Sequence, residues 1–170
     1  KIIVALWFSV FSMIGLNAKA QPYPNKPIRI IVPFGPGGTT DIIARSMARK
    51  LTEQLGVSVQ VENKTGGSSI VGSQFVSKAT PDGYTLLMAG SPHSINPSLR
   101  KDMPYDSVKS FEPVTLIGTV PMVLVTHPSL PVKTFQEFVA YGKKNPEALR
   151  CGIVPGSGNH MATESLKLAA

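Results

Sequence analysis

An α/β fold, a parallel-dominated sheet flanked by helices, is what this sequence predicts, and three observations predict it. Short β-branched runs alternate with segments whose apolar residues recur at helical spacing. The junctions leading from strand to helix are rich in glycine and serine. The length of 170 residues, with 42% of them hydrophobic, is enough for one ordinary domain or two small ones and excludes global disorder. A single cysteine, Cys151, excludes an internal disulfide, and the three histidines His93, His127 and His160 are too scattered for zinc-ligand spacing. The net charge of +7 allows anionic partners. The basic residues form no compact stripe with interleaved aromatics, so nucleic acid is not an expected partner.

The elements follow in order. Lys1 is basic, residues 2–16 carry no charge, and Asn17-Ala18-Lys19-Ala20 ends in a small-residue pattern. That order reads as an export signal, residues 1–20, cleaved after Ala20. The apolar run falls short of the roughly 20 residues a spanning helix needs. Ile28-Arg29-Ile30-Ile31-Val32 predicts a strand, and its three consecutive β-branched residues suit a parallel strand covered on both faces. Thr39-Thr40-Asp41 is read as the cap of a helix carrying Ile43, Met47, Leu51 and Leu55 on one face, with Gly56 as its stop. Residues 57–61 are a second strand. Ile70, Val71, Phe75 and Val76 mark a second helix, and residues 84–89 a third strand. Right-handed crossovers make the three strands a parallel sheet.

Beyond residue 90 the pattern weakens. Pro92, Pro97 and Pro104 predict a long loop with short turns up to residue 112. Strands are expected at residues 114–117, 122–126 and 150–154. Thr134 with Glu137 forms a capping box for a helix ending near Asn145. A last helix is expected to open at His160. Residues 21–119 then form most of a first lobe and residues 120–170 the beginning of a second, left incomplete.

Open parallel sheets bind ligands at the carboxyl ends of their strands. The junctions expected there are small and polar. Phe34-Gly35-Pro36-Gly37-Gly38-Thr39-Thr40-Asp41 offers close backbone approach and a helix start with unpaired amides, which suits an anion. The same residues also suit a tight turn with a helix cap. Asp41 would repel a nearby carboxylate; it suits the helix start, an amine or hydroxyl on a ligand, or a water. The loop is no dinucleotide fingerprint, because Thr40 stands where the last glycine belongs, and it lacks the lysine of a P-loop. Ser91, His93 and Ser94 follow a strand and suit the same crevice, His93 equally suiting a structural hydrogen bond. Gly156-Ser157-Gly158-Asn159-His160 adds amides and polar side chains from the second layer. No catalytic residues are identified: Ser157 lies outside a Gly-x-Ser-x-Gly elbow, and no paired carboxylates bracket a cleft. No cofactor or metal is expected.

Several motifs in fixed order carry a resemblance. They are Tyr23-Pro24-Asn25-Lys26-Pro27-Ile28-Arg29, the loop Val32-Pro33-Phe34-x-Pro36-Gly37-Gly38-x-x-Asp41, and Val61-Glu62-Asn63-Lys64-x-Gly66-Gly67. Pro81-Asp82-Gly83-Tyr84-Thr85-Leu86 and Gly156-Ser157-Gly158-Asn159-His160-Met161-Ala162-x-Glu164 complete the set. Together they resemble the periplasmic solute-binding components of tripartite tricarboxylate transporters, the Bug or TctC-like receptors. The resemblance implies a periplasmic-binding-protein-like fold of type II, with two α/β lobes closing on a ligand. It implies a non-enzymatic, monomeric periplasmic receptor for a small carboxylate: a di- or tricarboxylate, an acidic amino acid or an aromatic acid. Membrane permease subunits would be its partners. The ligand residues it implies are Phe34, Gly35, Pro36, Gly37, Gly38, Thr39 and Asp41 from the first loop. Ser91, His93 and Ser94, with Ser157, Asn159 and His160, would complete them. Family members are considerably longer, so the sequence reads as a fragment or a truncated product, expected to be poorly stable and weak in binding. An exported α/β enzyme acting on a small anion, or a ligand-sensing module, is the alternative.

Overall fold

The computed structural model describes residues 22–170; the expected export signal and its cleavage after Ala20 lie outside them. Three strands form one parallel sheet: β1 (Ile28–Val32), β2 (Val59–Asn63) and β3 (Thr85–Leu87). Their order is β2-β1-β3. The ladder runs from Ile28 opposite Val59 to Val32 opposite Asn63 on one side. On the other it runs from Arg29 opposite Thr85 to Ile31 opposite Leu87.

The central strand explains the layers. Successive side chains of β1 point to opposite faces. Ile28, Ile30 and Val32 are buried together with Ala44 and Ala48 of helix α1 (Thr39–Leu55), with Val59 and Met88 alongside. Ile31 is fully buried on the opposite face, where Arg29 lies over the Phe75 ring of helix α2 (Ile70–Ser77). A run of consecutive β-branched residues therefore has both of its faces covered, as a parallel sheet requires.

Helix α1 stops at Gly56, whose φ of 69° puts it in the left-handed region, with its amide donating to the Thr52 carbonyl. Thr52 Oγ1 donates to the Ala48 carbonyl and accepts from the Val59 amide, so the end of the helix is tied to the start of β2. The start of α1 differs from expectation. Gly38 occupies the cap position and no side chain caps the helix, because Asp41 bonds backward into the loop instead.

Three further corrections concern the second half. The expected loop after residue 90 contains helix α3 (Pro92–Leu99). Pro92 sits in its first turn, where a missing amide is harmless, and Pro97 forfeits one bond within a short helix. The strands expected at residues 114–117, 122–126 and 150–154 do not form. Val114, Leu116, Val123 and Val125 are about four-fifths exposed. Their β-propensity has no described neighbour to pair with, and propensity without a partner does not make a strand.

Helix α4 (Phe135–Lys144) does open on Thr134, which accepts from the Glu137 amide. Glu137 returns its bond to the Lys133 amide, one residue earlier than the usual box. Helix α5 (Gly158–Ala169) begins two residues before His160, because Ser157 caps it by accepting from the His160 amide.

Gly72 of α2 tests the packing. A Cβ there would lie 2.7 Å from the Lys64 carbonyl oxygen and 2.8 Å from Pro33 Cβ. Gly72→Ala should therefore lower unfolding free energy by about 1–3 kcal/mol, read as a reduced urea midpoint at unchanged slope.

Candidate functional site

From β1 the chain crosses first to β2 on one side and later to β3 on the other. Right-handed crossovers place α1 and α2 on opposite faces, which opens a crevice at the carboxyl ends where the direction reverses. Phe34, leaving β1, packs against Gly90, leaving β3: a Cβ on Gly90 would come within 3.0 Å of the Phe34 ring. These two junctions share one edge of the sheet.

Residues 35–38 stand exposed there. Gly37 has φ 82°, a left-handed conformation that side chains resist, and a Cβ on Gly35 or Gly37 would meet nothing within 4 Å. The glycine at 37 is thus demanded by backbone shape, and the space above it is open. Immediately after it, α1 starts without a side-chain cap. The first intrahelical bond is that from the Ile42 amide to the Gly38 carbonyl. The amides before Ile42 have no acceptor four residues back within the helix, and the helix dipole adds positive potential at the same end. Thr39 adds an exposed hydroxyl.

Asp41 faces its own loop. Its Oδ2 accepts from the Gly37 amide at 2.9 Å and from Arg45 Nε at 2.9 Å. Its Oδ1 accepts from Asn63 Nδ2 at 2.8 Å. Asn63 Nδ2 also reaches the Phe34 carbonyl at 3.0 Å, and Asn63 Oδ1 accepts from Arg45 Nη2 at 2.9 Å. The Asp41 side chain is 3% exposed. The Arg45 guanidinium, then the Gly37 amide and the Asn63 amide, hold its carboxyl well below the usual carboxylate range. Sequence reading did not single out Arg45 or Asn63. The spacing of Asp41 and Arg45, four apart on a helix, was an available signal. Nothing in the pattern shows that Asn63 bridges them, because that depends on the β1–β2 register.

A second group of contacts joins distant segments. Ser91 Oγ accepts from the Gly158 amide at 3.1 Å, and Ser68 Oγ donates to the Pro155 carbonyl at 2.9 Å. Asn96, 1% exposed, donates to the Ser68 carbonyl at 2.8 Å. Gly156 has φ 77° and no room for a side chain, since a Cβ would sit 2.9 Å from Asn96 Oδ1. The turn at residues 155–158 therefore docks on the junctions that follow β2 and β3. Ser157 and His160 are engaged within that turn; His160 Nδ1 accepts from the Gly156 amide at 3.3 Å. Ser94 bonds back to the Ser91 carbonyl, and Asn159 is exposed in the first turn of α5.

His93 belongs to a different cluster. Its ring stacks on Tyr105 and meets Phe111 edge-on, with Nε2 3.0 Å from the Ser107 carbonyl oxygen. It pins residues 105–111 to α3, the structural role that the sequence left open. Glu164, four residues after His160, pairs with Lys167.

The depressed Asp41 carboxyl predicts an acid limb. Its proton binds more weakly in the folded chain than in the unfolded one. The stabilisation is complete above the usual carboxylate range and is lost as pH falls through and below about 4. Melting temperature measured against pH should fall in that window, and Asp41→Asn should lower the neutral-pH value while flattening the acid limb. Gly156→Ala should separately lower the melting temperature by crowding Asn96, and Asn96→Ala should partly relieve that loss.

Residues 43–170 match the family model described as tripartite tricarboxylate transporter family receptor. The protein BugT of Bordetella pertussis is 38% identical over 158 residues, which cover 91% of this chain and 48% of BugT. The periplasmic binding protein BugD superposes with a TM-score of 0.73 at 37% identity, covering 86% of this chain and 50% of BugD. The R. palustris protein Rpa4515, solved with adipate, gives a TM-score of 0.78 at 35% identity, again over 86% of this chain and 50% of its own. The chain spans about half the length of each of these relatives. The parallel sheet with helices on both faces, the uncapped helix start beside a glycine loop, and a family match over most of the sequence make this chain a member of the tripartite tricarboxylate transporter receptor family.

Proposed function

We propose that the receptor carrying this chain is an exported, periplasmic solute-binding protein that captures a small carboxylate and presents it to membrane permease subunits. The observation that carries the reading is the start of α1: unpaired amides beside an open glycine loop at the sheet's switch point. A carboxylate there would accept from the amides of Gly38, Thr39 and Thr40 and from the Thr39 hydroxyl. The Gly37 amide is committed to Asp41 and serves the loop's shape. Phe34, Gly35 and Pro36 complete the loop's wall.

The residues 155–158 turn, bonded to Ser91 and Ser68, would bring Ser157, Asn159 and His160 to the opposite side of the crevice. Closure of a second lobe over that crevice would exclude water and strengthen each amide–carboxylate bond. Neutral donors and a helix end bind an anion without a buried lysine whose own desolvation would have to be offset. Adipate in Rpa4515 is a dicarboxylate, and it supports this ligand class for the related chain.

Gly37→Val tests the placement. Its left-handed φ resists a β-branched residue, so the loop must change shape. Isothermal titration against a panel of di- and tricarboxylates and aromatic acids should lose measurable binding in this variant. Unchanged affinity would sink the assignment of the anion to this loop.

A further inference from the structure

Within the receptor reading above, on which this rests, we infer that Ser68 is a closure latch. Its hydroxyl ties the junction after β2 to the turn at residues 155–158. It sets how tightly the receptor holds a ligand without reading which ligand it is. The observation behind it is a backbone shape that serine resists. Residues 66–69 have φ of 131°, 55°, 53° and 76°, four positive values in succession. Gly66 and Gly67 adopt them freely. Ser68 and Ser69 do not, because a Cβ in that region crowds the neighbouring carbonyl.

Such strain persists only where the surroundings hold it. Here α3 holds it: Asn96, 1% exposed, donates from Nδ2 to the Ser68 carbonyl at 2.8 Å. A glycine at 68 would take the same backbone turn with less strain. It would also keep the Asn96 bond, which uses the backbone carbonyl. What serine adds is the hydroxyl, and Ser68 Oγ donates to the Pro155 carbonyl at 2.9 Å across 87 positions of sequence. The strained residue is therefore the one that reaches the far turn.

The landing place fits this contact. Gly156 has φ 77°, and a Cβ on it would lie 2.9 Å from Asn96 Oδ1 and 3.8 Å from Ser68 Cβ. The Gly158 amide donates to Ser91 Oγ at 3.1 Å. The turn is thus held at two points, one on the junction after β2 and one on the junction after β3. Both bonds join protein to protein. A bond of that kind favours the closed arrangement equally for every ligand, so it changes all affinities by one factor. For one such hydrogen bond the factor is about two- to tenfold.

The test compares Ser68→Gly with Ser68→Ala in the receptor that carries this chain. Both variants lack the hydroxyl, and they differ in the strain that a Cβ brings. The probes are succinate, adipate, citrate and benzoate. Each probe that the unaltered receptor binds should be held about two- to tenfold more weakly by both variants in titration calorimetry, by one common factor. The Gly158 amide should exchange with deuterium faster in both. Ser68→Gly should melt above Ser68→Ala by on the order of 2 °C, the reverse of the usual order of glycine and alanine. Affinity then falls equally in two variants of unequal stability, which a merely structural role does not produce. Unchanged affinity in either variant, a loss confined to one ligand, or affinity that follows melting temperature would overturn the inference. Were no probe to bind the unaltered receptor, the carboxylate reading would fall, and the Gly158 exchange rates would decide the latch alone: faster in both variants sustains it, and unchanged overturns it.

Discussion

The central strand of a parallel sheet needs a helix over each of its two faces, and the rest of this fold depends on meeting that need for β1. Ile28, Ile30 and Val32 turn one way, Ile31 the other, and each side receives a helix. Small residues make the approach possible: Ala44 and Ala48 on α1, and Gly72 on α2 against Pro33. Covering β1 from both sides forces its two neighbours to be reached by crossovers of opposite direction. That in turn creates the edge at which the glycine loop, the Ser68-Ser69 junction and the Gly90-Ser91 junction meet.

Much of this was legible in the sequence. The β-branched run of β1 carries no alternation, and that alone indicates a strand with both faces covered. The four-residue recurrence from Ile43 to Leu55 with Gly56 behind it predicted α1 almost to the residue. The order of the motifs by itself carries the resemblance to the family. The failures share a cause. Val114, Leu116, Val123 and Val125 have strand propensity, but a strand is a relation between two segments, and the described residues hold no partner for them. Proline content alone hides α3, because a proline in the first turn, as Pro92 is, favours a helix. His93 stood open between the crevice and a structural bond; a helix turns neighbouring side chains in different directions, and its ring meets Tyr105.

The same distinction runs through the loops at the carboxyl edge of the sheet. Residue types suited to anion binding could be read from the glycine loop and helix start. The roles within the loop could not, because they follow from long-range pairing. Asn63 meets Asp41 across 22 positions of sequence and Ser91 meets Gly158 across 67. A charged residue next to a binding loop invites a direct role. Here the β1–β2 register converts it into an internal brace, through the bond between Asn63 and Asp41.

The Thr52 hydroxyl, donating to Ala48 and accepting from Val59, has a further consequence for how motion is distributed. A helix end usually frays independently of the strand that follows it. Here the last turn of α1 and the first amide of β2 share one hydroxyl, which couples the opening of one to that of the other. Their amides should then exchange with deuterium as a single cooperative unit, and that unit includes, at its two far ends, the Asp41 turn and Asn63. The glycine loop is in this sense braced in part from the opposite pole of the sheet, by a side chain outside the loop itself.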